Sequence, residues 1–408
     1  MAHTALLESP HITTQTNPLK TCTSSSENAY ILAIASTPNF YAASASAPSN
    51  VIDLFDKNTL RGITSLPGHT NGTTSLKAVD AIAGLGRRSL VSSGKDGSVK
   101  VWDERAGTFC IQMTDAGKSR AILCCDVSPD GLTVAAGTEF QGDDAYILYW
   151  DPRRPSAPIR THSSTHSDDI TSLSFSPISF KPSTEPSAHS LLSVSSDGLV
   201  SLSNPLEDDE DEAVLNVGNW GCSISQAGWI APGSKVRIWA GSDMETFSTW
   251  SDEADSLLTL DIREPSVHSA ARTWVTDYLI GCHTFSPSSS TSKSATALNN
   301  LGIFVGSNEG DVALLSNMNP SVADAPWCVH RLWTNGHVGV VRSMLWDEEN
   351  NTLLTGGEDC KLNAWSCPPI APITPSGDDG DSAMDVDSPP RKRDLDDGDG
   401  AKVCCGYV

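Results

Sequence analysis

Residues 92–103 read SSGKDGSVKVWD, and residues 353–366 read LLTGGEDCKLNAWS. Each has a short run of strand-favouring residues, a tight turn built on Asp, and a second run ending in Trp. Two alternating runs joined by such a turn make a hairpin. Asp stands six residues before Trp in both, Asp96 to Trp102 and Asp359 to Trp365. Weaker copies keep the frame at 39–56, 132–151, 191–204, 237–252 and 302–317. The Trp position is then filled by Phe55, Trp102, Trp150, Ser203, Trp250, Leu315 and Trp365, at separations of 47, 48, 53, 47, 65 and 50 residues. That period predicts a propeller of four-stranded blades, and seven copies predict seven of them.

Another alternating run precedes each copy, at 29–37, 75–84, 119–131, 168–177, 222–230, 278–287 and 340–346. These runs predict the inner strands, packed blade on blade. After Trp365 the sequence turns at once to CPPIAPITP, so the seventh blade has no outer strand of its own. The strand-like segment HITTQTNPLKTCT (11–23) is expected to supply it, closing the ring and removing an open sheet edge. The expected organisation is a disordered 1–10, a propeller over 11–367 with 11–23 as closing strand, and a disordered acidic tail over 368–408.

From about residue 12 to 367 the chain resembles the WD-repeat family, which implies an all-β, seven-bladed WD40 β-propeller. The resemblance also implies the family's hydrogen-bonded tetrad. In blade two it falls on His69, Ser92, Asp96 and Trp102, and in blade seven on His337, Thr355, Asp359 and Trp365. The relay runs from indole N–H to hydroxyl, to imidazole, to carboxylate, and satisfies four half-buried polar groups together. Blade four keeps His166, Ser193 and Asp197 but has Ser203 in place of Trp, and blades one, five and six largely lack the set. WDER (102–105) and WDPR (150–153) are similar to the paired boxes of propellers that dock on the adaptor of cullin 4 ubiquitin ligases. That likeness implies docking through Asp103, Arg105, Asp151 and Arg153, where Arg offers a planar fork to partner carboxylates and carbonyls.

The 408 residues carry a net charge of −23. Such a field repels phosphates and argues against direct nucleic-acid binding. No apolar stretch approaches the roughly 18 residues of a membrane span, and MAHTALLESPH lacks the pattern of a secretory signal. Eleven Cys without a disulfide framework point to reduced thiols in nucleus or cytoplasm. EDDEDE at 207–212 carries −6, and the tail after Cys367 carries nine Asp against four basic residues, −5. Two stretches read as inserted loops, 176–189 and 286–300. In a propeller the first-to-second and third-to-fourth links share one end of the ring, so the acidic run and tail are expected there, attracting a basic partner such as a histone or ribosomal protein. Arg391, Lys392 and Arg393 form a candidate import signal.

Chemistry is scarce. GKS at 117–119 has Gln112 where a phosphate loop requires Gly, and no HExxH, GxSxG or CxxC occurs. Cys124-Cys125 and Cys404-Cys405 are adjacent pairs, poorly spaced for one metal. No catalytic residue, cofactor or metal ligand is expected. The reading is a non-enzymatic protein-interaction scaffold, a monomeric ring within a nuclear complex that holds a basic protein and has no membrane partner. The other reading is a substrate receptor of a cullin 4 type ligase.

Overall fold

A computed structural model describes residues 6–103, 105–115, 120–142, 144–179, 189–230, 237–268, 273–285, 293–320, 322 and 325–370. The expected tail from 371 on, with Arg391, Lys392 and Arg393, lies outside the described residues, as do 1–5, 117–119, 180–188 and 286–292. All described residues belong to the compact unit Met1–Ile373.

Seven blades form a series, each pairing inner, second, third and outer strand antiparallel and in that order. Blade one is built from Ile31–Ser36, Phe40–Ala45, Ile52–Asp56 and Gly62–Leu66, and blade two from Thr73–Val79, Ser89–Gly94, Ser98–Asp103 and Thr108–Thr114. The Trp-position residues Phe55, Trp102, Trp150, Ser203, Trp250, Leu315 and Trp365 all fall on third strands. Among the described residues seven apolar clusters form, one at each junction between neighbouring blades. The closing junction joins Leu354, Leu362 and Ala364 of blade seven to Ile31, Ile34, Tyr41, Ala43 and Phe55 of blade one.

Every inner strand has a register shift near its start, for example between Ile31 and Ala33, Thr73 and Ser75, and Val341 and Ser343. A bulge re-aims the side chain it carries. Thr74 donates to Ile122 O at 2.8 Å and Thr171 to Ile224 O at 2.6 Å. Just beyond the bulge, Cys124 donates to Ile170 O at 3.2 Å and Ser343 to Ile31 O at 3.0 Å. In each case one blade bonds the first residue of the next blade's inner strand. The Ser343 bond spans the closing junction.

Closure uses the N-terminal segment twice. Lys20–Thr23 pairs antiparallel with Lys361–Ala364 and is the outer strand of blade seven. Leu6–Gln15 is a separate strand. It runs parallel to Trp327–Trp333, the outer strand of blade six, and makes that sheet five-stranded. So the expected closing strand 11–23 divides between two blades, and residues 6–10 are ordered where disorder was expected. The physical reason is the sequence WCVHRLW. All seven of its residues are buried, whereas the outer strands Gly62–Leu66 and Thr108–Thr114 are mostly exposed. An apolar outer strand needs a cover, and Leu6 joins the cluster at the junction of blades five and six.

Two buried carboxylates tie this seam. Asp53 accepts from the hydroxyls of Ser24, Ser25 and Ser65 and from the Ser25 N–H. Asp347 of blade seven accepts from Tyr41 Oη at 2.9 Å and Lys57 Nζ at 3.1 Å in blade one. Burial alone would raise the Asp347 carboxyl, but Asn350, Lys57 and Tyr41 hold it below its usual range. The start of the expected tail is packed as well. Arg331 donates to Cys367 Sγ and Pro368 O, and Ile370 N donates to Ser294 Oγ at 2.9 Å. Ser294 lies on the short helix Lys293–Ala297, so the second half of the 286–300 insert is core rather than free loop.

Removing residues 1–15 should lower the melting temperature by uncovering Trp327–Trp333 while leaving one transition. Removing 1–23 should abolish the cooperative transition in calorimetry. A 1–23 deletion that melts with the full-length enthalpy would refute closure by this segment.

Candidate functional site

The tetrads shape the links that enter their blades. In blade two Trp102 Nε1 donates to Ser92 Oγ at 2.8 Å, and His69 meets Ser92 through Nε2 at 2.7 Å and Asp96 through Nδ1 at 2.8 Å. In blade seven Trp365 Nε1 to Thr355 is 2.9 Å, His337 Nε2 to Thr355 is 2.8 Å, and His337 Nδ1 to Asp359 is 3.0 Å. Gly94 and Gly357 make room for the rings. A Cβ on Gly94 would lie 2.3 Å from His69 Cγ, and one on Gly357 would lie 2.7 Å from His337 Nδ1. Blade four keeps His166 to Ser193 at 2.8 Å and His166 to Asp197 at 3.3 Å, with Ser203 buried in the Trp position. These residues are structural: the buried His anchors the link that enters each blade. Burial alone would raise the Asp359 carboxyl, but His337 and the N–H groups of Val338 and Lys361 hold it below its usual range.

Each of the paired WDxR boxes is held by its own Asp. Asp103 accepts from Arg105 N at 3.0 Å and lies 3.5 Å from Arg87, while Arg105 is exposed. Asp151 accepts from Arg153 N at 2.9 Å and also holds the Arg153 side chain through Nε at 2.9 Å and Nη2 at 2.7 Å. Asp261 and Arg263 repeat that clamp outside any WDxR box. Asp-x-Arg here is a turn that closes on itself, which leaves the ligase-adaptor reading without support.

The acidic run is also partly spent. Glu210 accepts from the N–H groups of Ser163, Ser164 and Thr165 at 2.8 to 2.9 Å and from the Thr165 hydroxyl at 2.7 Å. These donors hold Glu210 below its usual range against the raising effect of burial. It fixes the segment that leads to His166. Asp208 pairs with Arg160, and Asp209 caps the one-turn helix Glu210–Ala213. No sequence signal marks Glu210, because its partners come from the preceding blade.

A third acidic feature was not read from the sequence. Second-to-third turns and outer-to-inner links share the other end of the ring. On blades four to six that end carries Asp168, Asp169, Asp197, Asp243, Glu245, Glu264, Asp277, Glu309 and Asp311. The described cation there, Arg263, is clamped by Asp261. A cavity of about 470 Å³ opens between blades five, six and seven, lined by Gln226, Glu245, Asp277, Tyr278, Asn308 and Arg342. Three bulge residues, Ser225, Ile280 and Arg342, line it too. Glu245 accepts from Leu279 N and Asp277 from Asn308 N, both at 2.8 Å, while Arg342 is spent on Glu358. Burial raises the Glu245 carboxyl above its usual range. Among the described residues no group of three or more His, Cys, Asp and Glu is placed to hold a metal ion, and no helix is long and apolar enough to cross a membrane.

Residues 61–103, 109–151 and 327–366 match the family model of the WD domain, G-beta repeat. Each match begins near the outer strand of one blade and ends on the third strand of the next, so the sequence repeat is offset from the blade by one strand. The chain is 24% identical over 349 residues to the WD repeat-containing protein 89 homolog of Dictyostelium discoideum, covering 83% of each. This likeness to WD repeat-containing protein 89 is the one that GGEDCKLNAW, the degenerate middle blades and the length lead one to expect. It is 30% identical over 234 residues to an uncharacterized WD repeat-containing protein of Saccharomyces cerevisiae, covering 56% of this chain and 54% of the relative. A Schizosaccharomyces pombe WD repeat-containing protein is 30% identical over 207 residues, 49% of this chain and 57% of the relative. WD-repeat propellers are in general scaffolds for protein interaction.

Trp365→Phe keeps the ring but removes the donor to Thr355, and should cost about 1–3 kcal/mol in denaturant unfolding. A second expectation is acid sensitivity. Burial, with Arg331 adjacent, lowers buried His330 to about 4, against about 6.5 unfolded. Neutral His330 therefore contributes stability above about pH 6.5 that is lost as pH falls toward 4. Asp359, lowered, contributes stability that is lost only below the ordinary carboxylate range. The His330→Gln variant should show a flatter stability curve between pH 6.5 and 4, with the later acid loss unchanged.

Proposed function

We propose, for a chain that carries WD repeats on a closed seven-bladed ring, that it is a non-enzymatic scaffold which captures a basic protein partner in a nuclear complex. The observation that supports this reading is the acidic end of blades four to six, where, among the described residues, nine carboxylates stand in the links against one clamped arginine. Carboxylates of one sign around a recessed mouth raise the local potential and speed capture of a cationic surface. The cavity beside Glu245 and Asp277 is of a size to take a lysine or arginine side chain. The exposed Met244 and Val338 flank its mouth in sequence and give an entering segment apolar contact. Work in the nucleus accords with Arg391, Lys392 and Arg393, and the cysteine usage accords with nucleus or cytoplasm alike.

The acidic end is thus the preferred docking face, ahead of the 207–212 run, half of which holds the fold together. Asp168→Asn, Asp243→Asn and Glu309→Gln combined should leave the melting temperature nearly unchanged. The same variant should slow association with core histones and flatten its dependence on salt near the physiological Debye length of about 8 Å. Unchanged association rate and salt slope in stopped-flow measurements would remove the basic-partner reading.

A further inference from the structure

The structure assigns the free edge of Val214–Asn219, the outer strand of blade four, as a strand-addition site for an extended basic segment of a partner. Among the described residues no strand pairs with its outer edge, and Leu215 (46% exposed), at the bulge that sets Val214 against Ser203, and Val217 (50%) are both exposed on it. The other outer strands differ. Gly62–Leu66 exposes Ile63 alone among large apolar residues, Phe109 of blade two lies edge-on to Trp102, and the outer strand of blade three has three residues. Blade six carries the precedent, because its outer strand accepts the chain's own Leu6–Gln15 in parallel. This ring therefore tolerates a fifth strand on a blade.

The surroundings specify the occupant. Arg160 of blade three donates to Pro205 O and Leu206 O, which holds the link that leads into this strand, and Leu206 is exposed there. The exposed Asp211 and Glu212 stand just before the strand, beyond the charges that Arg160 and the Ser163–Thr165 segment consume. The far end of the strand is fixed, since a Cβ on Gly218 would lie 2.3 Å from Ala254 O of blade five. An edge that exposes Leu215 and Val217 and is acidic at its entry fits a segment that alternates apolar residues with Lys or Arg. A second copy fits less well, because each chain brings a net charge of −23. The basic character of the partner rests on the proposed function, whereas the free edge does not.

A labelled eight-residue peptide alternating Lys and Val is the probe, read by fluorescence anisotropy on the full chain. It should bind wild type. Leu215→Ser with Val217→Ser should weaken it at least about ten-fold without changing the melting temperature. N-methylation of alternate peptide nitrogens, which blocks ladder bonds, should do the same. No binding of the probe, or equal binding by the serine pair or by the N-methylated peptide, overturns the assignment. A concentration-dependent dimer in light scattering that the serine pair abolishes also overturns it, by giving the edge to a second copy. Histone capture that falls in the triple acid variant but not in the serine pair sinks this assignment alone and leaves the basic-partner reading standing.

Discussion

A ring of sheets is held by its seam. Six junctions join blades that follow one another in sequence, and the seventh must join the end of the chain to its beginning. Here the seam has a borrowed strand, Lys20–Thr23, an apolar cluster shared by Leu354, Leu362, Ile31 and Tyr41, and the Asp347 carboxylate reaching Tyr41 and Lys57. Opening it would leave Lys361–Ser366 as an unprotected edge and strand a buried carboxylate, so the whole ring and its seam are expected to form together.

The bulge in each inner strand links the packing to the surface. One extra residue turns Thr74 and Thr171 onto the next blade, so that neighbours bond around the channel. The same device turns Ser225, Ile280 and Arg342 to the cavity between blades five, six and seven. A single backbone feature thus both ties the blades and sets the lining of the mouth that the proposed function uses.

The tetrads perform a related service for the links. His69 and His337 are buried and spend both ring nitrogens, which fixes the backbone leading into blades two and seven. Blade four lacks the indole and recruits Glu210 from its own third-to-fourth link to hold Ser163–Thr165 instead. Part of an acidic run that reads as solvated charge is therefore a structural brace. Its last two members, Asp211 and Glu212, are exposed and border the outer strand Val214–Asn219.

The seven-bladed ring, its inner strands and the tetrads of blades two and seven were legible in the sequence, because alternation and turn residues are local and repeat seven times, and the Asp-to-Trp spacing recurs in blades two and seven. The need for an outside strand in blade seven was legible too, from the prolines that follow Trp365. What escaped was everything whose cause lies in another blade. Residues 6–10 carry no alternation that marks a strand, and they are ordered only because WCVHRLW is apolar and needs a cover. Pro368–Ile370 reads as the root of an acidic tail, yet Arg331 and Ser294 hold it against blades six and seven. Glu210 looks like its five acidic neighbours until Ser163, Ser164 and Thr165 fold onto it. The sequence determined the repeat and hence the ring; tertiary structure alone decided which charges remain free and which edges remain open, since partners and exposure depend on surfaces that meet only after the ring has closed.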